Sequence, residues 1–572
     1  MLRGLLIAAS LSAASSAASA ASAPPIDAWS EPVPGAAEGL TEAGTRVLRA
    51  HVAGGVDAEL RWARFGDLRA ELERLYGARH WTLAWFGDGR PSDAAWRLAA
   101  VLGAAAQEGL DPLDYGADVL EPRLAAAERG EVTEAERVRL DVALTVSALR
   151  YARDLALGRI RPLPGTELLG RLQLARTAEP PPDLAAVVAA AAASNEPGRV
   201  LATVEPDWPA YRRTLAELRR WLARAAADPV RLLSPPPAPI APERYAEGAL
   251  LAARLAELGF PVASPAPPSA DAAACRSPLA EAVAAFQARR GVDATGFVDA
   301  PTIRELNVPA GRRVAQLSLA LERWRWFGRR PPASWIVVNV PEFALHAGDG
   351  DRDLSMRVVV GQAYEWGTPL LASELSQVVF RPAWSVPLPI QQAELVERVE
   401  ADRGFLAAGD FDVVDASDRP TRPLATPELI SGLRSGVLKL RQRPGPGNAL
   451  GLVKLSLARS SWIYLHGTPA PELFSRSRRD FSHGCIRVED PAALAGWVLR
   501  DEPGWTPGAV RWAMASPRTL EVDLRSPPTV LIAYFTATAW DEGGAGFYED
   551  VYGQDAALAG ALREEAARRG GG

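Results

Sequence analysis

Cysteine is almost missing from this chain: Cys275 and Cys485 are the two thiols among 572 residues. That excludes a disulfide-stapled scaffold and any zinc site built from paired cysteines. Histidine is nearly as rare, and His51, His80, His346, His466 and His483 fall at no metal-ligand spacing. No metal and no cofactor are expected. Long apolar runs are lacking as well, since a membrane span needs about 20 residues and no segment reaches that. There is no excess of positive charge: the net charge is −6, arginine is dispersed among acids, and lysine is scarce. Nucleic acid and anionic membrane surfaces are therefore not expected partners.

What is present is a globular composition, 48% hydrophobic and 23% charged, in a chain too long for one core. Met1 to Ala9 pairs one positive side chain with a short apolar stretch, and small-x-small sites end at Ala20 and Ala23. This reads as a secretory signal over residues 1–23, so the mature protein is expected to be exported. Residues 24–235 carry helical patterns, among them Glu134 to Leu157, which is apolar on more than one side and reads as a buried helix stopped by Gly158. A polyproline connector, Ser234 to Pro242, leads into residues 236–309, where short amphipathic helices flank Phe286-Gln287 and a glycine turn. Gln287, Arg290 and Asp293 are candidates there for contact with a ligand. From 310 to 525, β-branched runs such as Trp335 to Val340, Met356 to Val360 and Val453 to Leu457 alternate with Gly/Pro turns. Residues 388–440 interrupt these strands with a charged, helix-prone insertion, and residues 526–572 read as a closing strand and a fraying tail.

The chemistry concentrates between Ser461 and Val488. Trp462-Ile-Tyr-Leu465 reads as a strand with His466 at its carboxyl end. After fifteen intervening residues comes Ser482-His-Gly-Cys485-Ile-Arg487, with Cys485 after a turn that Gly484 permits. A thiol attacks as thiolate, and a nearby imidazole is the usual means of making one near neutrality. Asp490-Pro491 reads as the N-cap and first turn of a helix buttressing this loop.

The spacing from His466 to Cys485 and the Ser-His-Gly-Cys-Ile-Arg string closely resemble the signature of the L,D-transpeptidases. Phrases along the chain resemble the large periplasmic members: Tyr76 to Trp81, Leu140 to Thr145, Asn339 to Phe343, Val360-Gly361, Thr368-Pro369, Phe380 to Pro387 and Gln442 to Gly451. The resemblance implies a multidomain α+β chain. It would comprise an all-helical scaffold, a three-helix peptidoglycan-binding module at 236–309, and a mixed β-sheet catalytic domain with a helical lid insertion. It implies a periplasmic enzyme whose Cys485 attacks a peptidoglycan tetrapeptide stem, expels D-alanine and passes the acyl group to a neighbouring stem amine, giving a 3–3 cross-link. His466 would be the general base, oriented by the Gly467 carbonyl, with the Cys485 N–H, Tyr464 or His483 facing the oxyanion. Arg487 would hold substrate carboxylates, Trp384 would wall the groove, and Ser482 would complete the substrate-binding set. Carbapenems would acylate Cys485. Glycan strands and peptide stems are the implied partners, with other cell-wall enzymes left open. Two other readings stand: an L,D-carboxypeptidase or endopeptidase, and a catalytically silent peptidoglycan-binding scaffold with Cys485 sequestered by Cys275.

Overall fold

The computed structural model describes residues 40–160, 173–174, 181–227, 232–262, 277–350, 352–363, 366–421, 425–541 and 543–570. The expected signal segment, 1–23, and Cys275 lie outside them. A helical region comes first, organised around the helix Glu134–Leu157. Thr133 and Glu136 form a capping box at its start, and Gly158, at φ +76°, ends it. Apolar side chains on several sides of this helix are buried in one core with Leu48, Leu72, Trp85, Leu98 and Val188, as its broad apolar surface predicts.

Two phrases distant in sequence meet in that core. The carboxylate of Asp141 accepts hydrogen bonds from the Tyr76 phenol at 2.7 Å and from the N–H groups of Ala84 (3.0 Å) and Trp85 (2.7 Å). The Trp85 indole N–H donates to Thr145 at 3.0 Å. All four side chains are buried, so these motifs serve structure. Asp141→Ala strands three buried donors and is expected to cost about 3 kcal/mol or more. Urea unfolding followed by tryptophan fluorescence checks this.

The β-rich region is one sheet closed on itself. Its strands are β1 (Trp335–Asn339), β2 (Ala344–Gly348), β3 (Asp353–Gly361), β4 (Leu371–Phe380), β5 (Val453–Leu457), β6 (Ser460–His466), β7 (Asp480–Ser482), β8 (Ile486–Val488), β9 (Leu520–Asp523) and β10 (Thr529–Ala533). The order β5-β6-β8-β3-β2-β1-β10-β4 returns to β5, because the ten-residue β4 pairs with β10 through Leu371 to Glu374 and with β5 through Leu375 to Phe380. β9 pairs with β4, and β7 pairs with β3. Closure removes the open edges that invite aggregation.

β1 and β10 run parallel and are covered on both faces, so their sequences are continuously apolar. Ile336, Val338, Val530 and Ile532 join the sheet interior with Leu494 and Val498. Val337, Leu531 and Ala533 face the opposite way, onto Trp208, Leu321 and Trp324. Those residues come from the helices Pro209–Ala226 (with its N-cap Trp208) and Ala310–Trp324, which pack against each other beneath the sheet.

Three sequence expectations change here. The segment after 525 is no appendage: β10 lies between β1 and β4, and the helix Gln554–Gly570 docks on the sheet through Leu558 and Ala561 rather than fraying. Residues 236–309 do form helices Gly248–Glu257, Pro278–Arg289 and Ala300–Leu306 around Phe286 and Leu306. Two of their candidate contact residues, however, point inward. Gln287 is buried and binds Thr302 Oγ1, the Phe297 carbonyl and the Gly296 N–H at 2.8 Å each, which holds the glycine turn. Arg290 is buried over the Phe547 ring and donates to the Ala545 carbonyl at 3.0 Å; Asp293 alone of the three is exposed. Finally, the insertion is mixed rather than helical. Its helical segments surround a sheet of Trp384–Ser385, Lys439–Gln442 and Phe411–Val414, with its own core of Val396, Val399, Leu429, Leu433 and Leu440.

Candidate active site

β6 and β8 are adjacent and parallel, with Leu465 opposite Ile486 and His466 opposite Arg487. Side chains alternate along a strand. Leu465, Ile486 and Val488 therefore fill the core, while Tyr464, His466, Cys485 and Arg487 share the other face. That face floors a groove of about 800 Å³. Trp384 and Pro387, just before the insertion, and Leu388, Ile390 and Glu394 within it supply another wall. Sequence reasoning placed Tyr464, Arg487 and Trp384 at this site, and all three line the groove.

Gly484 sits at φ +107°, a conformation that side chains resist, and so turns the chain sharply before Cys485. Ser482 is buried where the groove meets the turn. Its hydroxyl donates to the Cys485 carbonyl at 2.5 Å and accepts from the Gly484 N–H at 3.1 Å, bracing the turn. Behind the turn, Thr368 accepts from the Gly361 N–H at 2.8 Å and donates to the Gly484 carbonyl at 2.9 Å. Tyr552 donates to the Gly361 carbonyl at 2.5 Å. Asp490 caps the helix Pro491–Val498 by accepting from the Ala493 N–H at 2.8 Å, as the sequence predicts.

The Cys485 thiol is free and half-buried, and it donates to the Trp462 carbonyl at 3.2 Å. Burial pushes its pKa up, opposed by hydrogen bonds from the Tyr464 N–H and phenol and by the charges of Lys454 and Arg487. His466 is buried, and its Nδ1 lies 2.6 Å from the Gly467 carbonyl. That bond makes Nδ1 the protonated nitrogen of the neutral ring and leaves Nε2 as acceptor. Among the described residues no hydrogen bond joins Cys485 to His466, a common state of a site without substrate. Burial, then the adjacent Arg487, drives the His466 pKa down to about 3, with Lys454 adding to the effect and the Gly467 carbonyl opposing it.

A depressed imidazole pKa has a stability consequence. The unfolded chain takes up a proton near the ordinary 6.5, while the folded chain resists until about 3. The contribution of neutral His466 is thus complete above pH 6.5 and drains away as pH falls toward 3. Wild type should lose more melting temperature over that window than His466→Gln; parallel curves would refute the assignment.

His483, expected as a candidate oxyanion donor, is engaged by other groups. Its Nε2 lies 2.5 Å from Glu394 of the insertion and its ring packs edge-on to Trp366 at 5.0 Å, so it fastens the turn to that wall. Arg487 has a buried Nε with no partner among the described residues, which suits it to an incoming anion. Five contributors went unassigned from the sequence: Lys454, Glu394, Gly361, Thr368 and Tyr552. Gly361 and Thr368 stood inside resembling phrases without a role; the others carry no local signal. Among the described residues, no group of three or more His, Cys, Asp or Glu side chains is placed to hold a metal ion.

Comparison with known proteins agrees with this geometry. The family model described as the L,D-transpeptidase catalytic domain matches residues 333–510, and that described as the Scaffold domain matches 70–218. A Haemophilus influenzae protein provisionally named an L,D-transpeptidase is 35% identical over 222 residues, 38% of this chain and 44% of that protein. The chain thus covers less than half of that relative's length. An alpha-2-macroglobulin of Ralstonia nicotianae is 27% identical over 325 residues, 54% of this chain but 18% of that protein.

Proposed function

We propose that this chain, whose residues 333–510 match the L,D-transpeptidase catalytic-domain model, is a cysteine-dependent acyltransferase acting on peptidoglycan stems. The observation that carries the reading is the single face shared by Tyr464, His466, Cys485 and Arg487 in a two-walled groove. In the first half-reaction the Cys485 S–H bond breaks, its proton passes to His466 Nε2, and the sulfur attacks the carbonyl between the third and fourth stem residues. The tetrahedral intermediate collapses with loss of the C–N bond. His466 returns the proton to the departing D-alanine amine, leaving a thioester. In the second, an amine of a neighbouring stem attacks the thioester and His466 takes its proton; the C–S bond breaks and the proton returns to Cys485 Sγ, closing a 3–3 cross-link and freeing the thiol.

Arg487, with its unpartnered buried Nε, is the group that holds a stem carboxylate. The leader at 1–23 supports export to the periplasm, where this substrate lies. The module at 236–309 is assigned to the glycan-peptide strand, and the insertion to a lid that covers the acyl-enzyme. Among the described residues no helix is long and apolar enough to cross a membrane. The free Cys485 thiol argues against a silent scaffold with a sequestered cysteine.

Mass spectrometry of the purified protein with disaccharide-tetrapeptides containing diaminopimelate tests the proposal. A D-alanine-shortened dimer is expected. Tripeptide without dimer would instead establish the carboxypeptidase, and unchanged substrate would overturn acyl transfer altogether.

A further inference from the structure

Of the 63 basic residues, two are lysines, Lys439 and Lys454, and both line the groove that holds Cys485. Lys439 is exposed at its rim, whereas Lys454 is half-buried inside. The register of β5 on β6 sets Lys454 directly opposite His466 and Ser456 opposite Tyr464. Its Nζ lies 4.5 Å from the centroid of the Tyr464 ring, the residue whose phenol and N–H hydrogen-bond the Cys485 sulfur. Among the described residues Lys454 has no ion pair and no hydrogen-bond partner. An ammonium taken from water without a partner is costly. Unlike an arginine fork, it acts as a compact point charge.

The groups around it leave few anions to answer that charge. β6 presents Tyr464 and the neutral His466; β8 and its turn present Arg487, Cys485 and His483; the insertion presents Glu394, which is engaged with His483. β9 contributes the exposed Glu521, whose attraction for Lys454 ranks below that of Cys485. An anion does arise in this space during the reaction, at the sulfur. The imidazole cannot supply its standing counter-charge, because His466 is held neutral by burial beside a guanidinium.

We propose that Lys454 is a positioning residue for Cys485, supplying with Arg487 the positive charge against which the thiolate forms. When the S–H bond breaks, the electron pair stays on Sγ, the proton goes to His466, nothing is oxidised, and Lys454 keeps all three of its protons. This rests on the cysteine-nucleophile reading and names the group that activates it.

The test is the pH dependence of Cys485 alkylation by iodoacetamide in the full-length protein, read by peptide mass spectrometry with Cys275 as the internal reference. Lys454→Met should raise the alkylation midpoint by roughly one pH unit, the size expected of a nearby charge. At neutral pH that means about tenfold slower modification. Lys454→Arg should restore most of the loss. Melting temperatures identify a variant that fails to fold, in which case Lys454→Gln is read in its place. An unchanged midpoint in a folded neutral variant overturns the proposal, as does a shift that Arg and Met share equally. A shifted midpoint in a protein that makes no tripeptide or dimer would leave Lys454 assigned and remove the transpeptidase reading instead.

Discussion

Cys485→Ala should leave the tetrapeptide substrate intact, with turnover falling on the order of 10⁵-fold or more, as happens when the nucleophile of a covalent mechanism is removed. The fold should not follow it down. The thiol is half-buried, and its hydrogen bonds run to β6, to the Trp462 carbonyl and from Tyr464, rather than within the turn. The turn is held instead by Ser482, Thr368 and Gly484. Stability should therefore change by less than about 1 kcal/mol. Parallel measurement of product formation and melting temperature separates the two effects. Carbapenem labelling gives an independent readout: wild type should gain one drug mass on the Cys485 peptide, and Cys485→Ala none. Residual D-alanine release above a few percent in the variant would show that another residue carries the chemistry.

Gly361→Ala should be the most damaging change outside the groove. A Cβ at this position would lie 1.9 Å from the Trp366 carbonyl oxygen, 2.8 Å from the Thr368 nitrogen and 2.9 Å from the Gly484 Cα. All three are backbone atoms, so no side chain can rotate away. The end of β3 must move, and it is tied to the catalytic turn through Thr368 and to the tail through Tyr552. Overpacking of this kind costs about 1–3 kcal/mol. A displacement of Cys485 by about 1 Å would reduce turnover on the order of 10²-fold even in the folded fraction. Gly496→Ala is the control: nothing lies within 4 Å of its Cβ position in the helix Pro491–Val498, and helix propensity favours alanine there. If the two variants behave alike, the close packing of β3 on the turn is not what positions Cys485.

Much of the site was legible because its signals are local. The alternation of Trp462-Ile-Tyr-Leu465 sets which side chains face the groove. Gly484 permits the turn, Asp490-Pro491 starts the buttressing helix, and the apolar girth of Glu134–Leu157 requires a helical core around it. Each follows from strand period, helix period or a single backbone conformation, all properties of neighbouring residues.

What the chain alone did not disclose depends on residues far apart in sequence. β10 reads as a terminal strand, but it lies mid-sheet because both its faces must be covered, by the helices beneath and by the sheet interior. Gln287 reads as a polar surface residue, but it is buried because the glycine turn needs its amide. His483 stands in the motif beside Cys485, yet a glutamate 89 residues away engages it. The protonation states of His466 and Cys485 are likewise tertiary. They sum desolvation by the whole groove with the charges of Arg487 and Lys454, which separate strands bring to one face. Sequence thus determined which residues can do the chemistry. Tertiary packing decided which are free to do it, because desolvation and Coulomb terms depend on distances in space, not on spacing along the chain.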